Sequence, residues 1–156
     1  MSTVNGLPAH VLLVHLLVVL TPLTAALSVV CALWPAALRR LVWLVLALAV
    51  GCVVATPITT EAGEWLEHRV GETPALAAHA ALGDTMLYFS IAVLVAAVGL
   101  VVVHLRRERG RPLPRVLAGA VSALVIVAAV AATVQVYRIG DSGAQSAWGD
   151  VATGGE

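Results

Sequence analysis

Four long apolar stretches, at 11–33, 41–60, 75–105 and 116–137, divide this chain, and the loops that join them alternate in the sign of their charge. Each stretch is long enough to cross a hydrocarbon core of about 30 Å as a helix rising about 1.5 Å per residue. Composition closes the water-soluble route: 60% hydrophobic and 12% charged residues, with a mean hydropathy of +0.97, leave too little polar surface to coat a chain of 156 residues. The expected fold class is all-α, an integral membrane four-helix transmembrane bundle. A single domain over 1–156 is expected, with helices at about 9–34, 40–60, 74–105 and 113–138 and a short polar C-terminal tail.

The formal net charge of +0 conceals a segregation. Arg39 and Arg40 follow the first span, and Arg106, Arg107, Arg109, Arg111 and Arg115, against Glu108 alone, follow the third. The connection after the second span carries Glu61, Glu64, Glu67 and Glu72 against Arg69, and the tail after Arg138 adds Asp141, Asp150 and Glu156. The positive-inside rule then predicts a multi-pass membrane protein with both termini outside. Trp34 and Trp43 at the basic ends of their spans, and Trp65 and Trp148 beyond the acidic ends, read as aromatic belts. No Lys or Arg precedes the first stretch, and its apolar run exceeds a signal core, so it is expected to be retained.

Local punctuation agrees with these boundaries. Thr73 before Pro74 reads as an N-cap with proline at the first helical position, and Gly6-Leu7-Pro8 opens the first span similarly. Pro22 and Pro57 fall inside spans, where each removes a backbone donor. Small residues along the fourth span, among them Gly119, Ala128, Ala129 and Ala132, favour close helix packing. Cys31 and Cys52 lie at different depths and are expected to pack rather than bridge.

An ionisable side chain inside a bilayer is costly, so any chemistry should sit on His10, His15, His79, Asp84 or His104, with Gln135 a milder case. The first four belong to the acidic side of the membrane; His104, beside Arg106 and Arg107, reads as a solvated interfacial residue. Counted from Pro8 and Pro74, His15, His79 and Asp84 lie within roughly 8 Å of one another along the membrane normal. At about 100° per residue, His79 shares a stripe with Gly83, Met86, Ser90 and Ala97, while Asp84 points elsewhere. His10 shares a stripe with Val14, Thr21, Thr24 and Ser28, and His15 lies on a different one with Pro22.

Two histidines on neighbouring helices at matched depth suit haem b, each neutral imidazole supplying one axial nitrogen inside an apolar bundle. His15 and His79 are the preferred ligands, His15 because it is deeper, with His10 as the substitute and Gly83 leaving room for a ring edge. The alternative is structural: His10 at the interface, His15 bonded to a backbone carbonyl or Asp84, and His79 holding helix contacts. Asp84 is a proton-relay group, a cation ligand, or the structural partner of His15 or Arg138. Glu64 and His68, at i and i+4 with Glu61 and Glu67 nearby, read as a solvated acidic face or a weak metal site; beyond the haem iron no metal is expected.

The opening Gly6-Leu7-Pro8-Ala9-His10-Val11-Leu12-Leu13-Val14-His15, the Ala55-Thr56-Pro57 segment leading to Gly63-Glu64-Trp65-Leu66, His79 with Gly83, and the closing Arg138-Ile139-Gly140-Asp141-Ser142-Gly143-Ala144 resemble the bacterial four-helix membrane family known as domain of unknown function 2231. Relatives usually carry proline after the first histidine and often histidine after the first closing glycine, where this chain has Val11 and Asp141. The resemblance implies the membrane fold and its orientation, with no established activity. Some relatives join the same unit to iron-sulfur or cytochrome-like domains, an association with electron transfer.

The functional expectation is a haem b electron-transfer subunit with its site in the outer leaflet, linking a quinone or membrane redox partner to an outside acceptor, with no catalytic turnover of its own. The alternative is a non-redox scaffold subunit, or a small proton-coupled permease that would need a homo-oligomer. The chain has no covalent-haem motif, phosphate loop or metalloprotease motif, and nothing suggests nucleic acid; the arginines face the lipid bilayer's anionic surface.

Overall fold

The computed structural model describes residues 3–4, 7–71 and 73–152, with side chains described over 8–71 and 73–149; Gly6, Glu72 and Glu156 of the sequence reading, and the side chains of Leu7 and Asp150, lie outside the described residues. A pair of two-residue strands, β1 (Thr3–Val4) and β2 (Leu7–Pro8), precedes the first helix. Helices α1 (Ala9–Leu33), α2 (Pro35–Val70), α3 (Pro74–Asp84), α4 (Met86–Glu108) and α5 (Arg115–Ala152) follow, and they supply four spans long and apolar enough to cross a membrane, the third made of α3 and α4 end to end. The spans form a ring in which α1 packs on α2 and α5, α2 on α4, and α4 on α5.

Two helices outrun their apolar windows. The second continues through the acidic connection to Val70, and the fourth continues through the polar tail to Ala152, because neither segment contains a proline to stop it. At 71–73 the chain does break: Gly71 takes φ 89° as the C-cap, and the Thr73 side chain accepts a hydrogen bond from the Leu76 N–H at 3.2 Å ahead of Pro74.

Thr85, inside the third span, keeps helical dihedrals at φ −74° and ψ −16°, but the regular bonding of the span is not continuous. It is interrupted at Thr85, whose hydroxyl and N–H both donate to Leu82 O, at 2.7 and 3.2 Å. The buried Gln135 of α5 spans the interruption, its Nε2 donating to Thr85 Oγ1 at 2.7 Å and to Leu82 O at 3.2 Å. The bonding there tightens to three-residue turns, Thr85 N–H to Leu82 O and Tyr88 N–H to Thr85 O, and Gln135 adds a donor to the same groups.

The core lies towards the basic end, where Cys31, Leu38, Val42, Val45, Val93, Leu100, Val103, Val125 and Ala132 pack together. Higher in the bundle the interior turns to hydroxyls. Thr24 donates to Leu20 O, Ser28 to Thr24 O and Thr56 to Cys52 O, each at 2.7 Å, so the helices absorb their own polar side chains. Thr56 and Ser90 hydroxyls meet at 3.0 Å between α2 and α4, and the free Cys52 thiol sits 3.8 Å from both Thr21 and Thr24 hydroxyls. Among the described residues no buried side-chain nitrogen or oxygen lacks a hydrogen-bond partner.

Candidate functional site

At the acidic end the helices part around a cavity of about 790 Å³, within the size range of small-molecule and cofactor pockets. His10, His15, His79, Gly83 and Asp84 all border it, so the sequence-based cofactor site and Asp84 share one cavity, while His104 and Gln135 lie off it. Its walls are largely apolar and carry the carboxylates Glu64, Glu67 and Asp84; no arginine borders it among the described residues.

The structure brings His79 to His10 rather than to His15. The His10 and His79 rings have centroids 6.4 Å apart and planes crossing at 81°. His10 lies on the buried face of α1 with Leu17, Thr21, Thr24 and Ser28, and His79 reaches it from α3. His15 is exposed, and its Nδ1 bonds to Val11 O one turn earlier in its own helix. Asp84 is exposed at the C-terminal end of α3 and pairs with neither His15 nor Arg138. Gly83 faces open space where a Cβ would stand.

The two paired rings are seated alike. His10 Nδ1 lies 3.0 Å from Thr59 O, and a Cβ on Gly63, one turn further along α2, would come within 3.0 Å of the ring. His79 Nδ1 lies 3.0 Å from Ser142 Oγ, and a Cβ on the adjacent Gly143 of α5 would likewise come within 3.0 Å of His79 Cε1. Any side chain larger than hydrogen at Gly63 or Gly143 would push its ring aside. The Gly63-Glu64 and Ser142-Gly143 segments are thus histidine seats.

Hydrogen-bond chemistry assigns the tautomers. Thr59 O can only accept, so His10 donates through Nδ1–H and leaves Nε2 with its lone pair. Ser142 Oγ donates its own hydrogen to Ile139 O at 3.0 Å, so towards His79 it accepts, and His79 also carries its proton on Nδ1. Both rings present a bare Nε2, the form that ligates a metal, with Nδ1–H held by a protein oxygen as in typical metal-binding histidines.

Thr59, Gly63, Ser142 and Gly143 were absent from the sequence-based site, and Gln135 stood there only as a milder case. The signal for Gln135 was its buried amide in an apolar helix; the two glycines stood within the quoted motifs without a stated role. His104, expected to be solvated, is buried, with its ring edge against Trp43 at a centroid distance of 6.5 Å. Among the described residues no three His, Cys, Asp or Glu side chains cluster as a metal site, and Glu64 with His68 forms none.

No curated protein and no solved structure matches this chain. One family model matches residues 6–154, nearly the whole length, and its description is that of a predicted membrane protein, DUF2231. The chain therefore belongs to the DUF2231 family of membrane proteins.

Proposed function

We propose that this membrane protein holds one haem b between His10 and His79 and passes electrons between a quinone or membrane redox partner and an acceptor on the side of its acidic loops. The observation that carries this reading is the histidine pair, two rings from different helices with both Nε2 atoms bare and both Nδ1–H groups anchored. The two rings stand 6.4 Å apart, centre to centre, on the wall of a cavity large enough for a cofactor. The donor set fits a macrocycle better than a bare ion: two histidines without a third protein ligand leave a zinc ion half-coordinated, whereas a porphyrin brings four nitrogens.

When bound, haem b supplies a reversible one-electron couple. His10 and His79 would hold the group, Thr59 and Ser142 would keep the rings in the ligating tautomer, and Gly63 and Gly143 let them lie against α2 and α5. The Glu64, Glu67 and Asp84 carboxylates add negative charge to the wall, which favours the oxidised form. The orientation read from loop charge puts both termini and this cavity outside a bacterial plasma membrane.

The second reading is a proton-coupled carrier working through Asp84, favoured by three carboxylates on a cavity wall without arginine. The packed apolar half below offers such a carrier no polar route onward. The test is purification in mild detergent from haem-supplied cells with reduced-minus-oxidised absorption spectra. A b-type band that survives Asp84→Ala and vanishes in His10→Ala and His79→Ala is expected. A folded, colourless wild type would overturn the haem reading.

A further inference from the structure

We infer that Ser142 is a positioning residue that selects the tautomer of His79, making His79 the switchable member of the pair and His10 the fixed one; the inference rests on the ligand role proposed above. The two rings differ in the oxygen that holds Nδ1. Thr59 O is a main-chain carbonyl with lone pairs only, so His10 has one way to satisfy that contact, with its proton on Nδ1. Ser142 is a hydroxyl, at 3.0 Å from both His79 Nδ1 and Ile139 O.

With the Ser142 hydrogen on Ile139 O, His79 must donate from Nδ1 and its Nε2 is bare. With that hydrogen turned to His79 Nδ1, the ring must carry its proton on Nε2, and that nitrogen is no longer a ligand. In passing from one state to the other the ring gives up the Nδ1 proton to water and takes one at Nε2 from water, so its charge and total proton count are unchanged. No heavy atom need move. Ile139 O matters as much as the hydroxyl, because it draws the Ser142 hydrogen away from His79 and sets the ligating form as the resting one.

The experiment is a long-range proton–nitrogen NMR correlation on full-length, 15N-histidine-labelled protein in detergent without haem, above the histidine titration range. Wild type, Ser142→Ala and Ser142→Thr are compared. In wild type His10 and His79 should both show Nδ1–H, against the Nε2–H preference of the exposed His68. Ser142→Ala should move His79 to Nε2–H and leave His10 unchanged, which also reports that the bundle is intact; Ser142→Thr should keep the wild-type pattern. An Nε2–H His79 in wild type, or an unchanged His79 in an intact Ser142→Ala variant, overturns the inference, and the wild-type spectrum decides even if the variant does not fold. Haem titration of the same samples should show binding weakened about tenfold in Ser142→Ala and restored in Ser142→Thr. If wild type takes up no haem, the electron-transfer reading falls on that result alone, while the tautomer spectra still decide what Ser142 does.

Discussion

The two ends of this bundle are built on opposite terms. Towards the basic loops, Leu38, Val42, Val45, Leu100 and Val103 fill the space between helices, and each is at most 6% exposed. Towards the acidic loops the helices part around a cavity, α3 buries none of its residues, and the groups that bridge helices are His10 to Thr59, His79 to Ser142, and Gln135 to Thr85. In lipid the water-driven gain of burial is largely absent between helices, so the filled half is held by close packing and the open half by polar bridges. One half of the bundle supplies rigidity, and the other keeps room for a ligand.

The largest expected break in this comparison comes from the histidines. His10→Ala or His79→Ala should abolish any b-type absorption while leaving helical circular dichroism intact, since neither ring belongs to the packed half; His15→Ala should retain the band. Retention in His79→Ala would move the site elsewhere. Next in size is Leu100→Ala, which should lower stability by about 2 kcal/mol or more by leaving a void in a filled region. Val14→Ala, on the cavity wall, should cost well under about 1 kcal/mol in the same denaturation series, because it enlarges space that already exists. Equal costs would show that the acidic half is packed in solution.

A smaller effect is expected from Gln135→Leu. Leu82 O and Thr85 Oγ1 lose a donor, at a cost of about 1 kcal/mol, and hydrogen exchange should rise around 82–86 and not at Val42 or Val45. The smallest is Glu67→Gln, which removes one negative charge from the cavity wall. In the haem-loaded protein it should raise the midpoint potential by some tens of mV, read by redox titration, with no change in folding.

How much of this was legible in the sequence follows from which physical signal each residue carries. The spans were plain because hydrophobic length and loop charge are local properties. Helical facing was legible too: the stripe through His10, Thr21, Thr24 and Ser28, and that through His79, Met86, Ser90 and Ala97, hold the buried residues of their helices. Depth alone favoured His15 as the ligand, yet facing placed it off the buried stripe, and facing is what brings His10 to His79. The change of bonding at Thr85 was not legible, because no proline marks it, Gly83 beside it reads equally as a packing residue, and its partner Gln135 sits 50 residues away. The extension of α5 past Tyr137 was missed for a related reason, since polar composition ends a span without ending a helix. That extension carries Ser142 and Gly143 to His79, and a pairing 63 residues apart has no signature in either segment.

The interruption at Thr85 also bears on the order of assembly. α3 buries none of its residues and packs chiefly on α5, whereas α1, α2, α4 and α5 pack on one another around the filled half independently of it. Closing of the spans and placing of α3 are then separable events: the four-helix ring can be complete first and the wall of the cavity set afterwards.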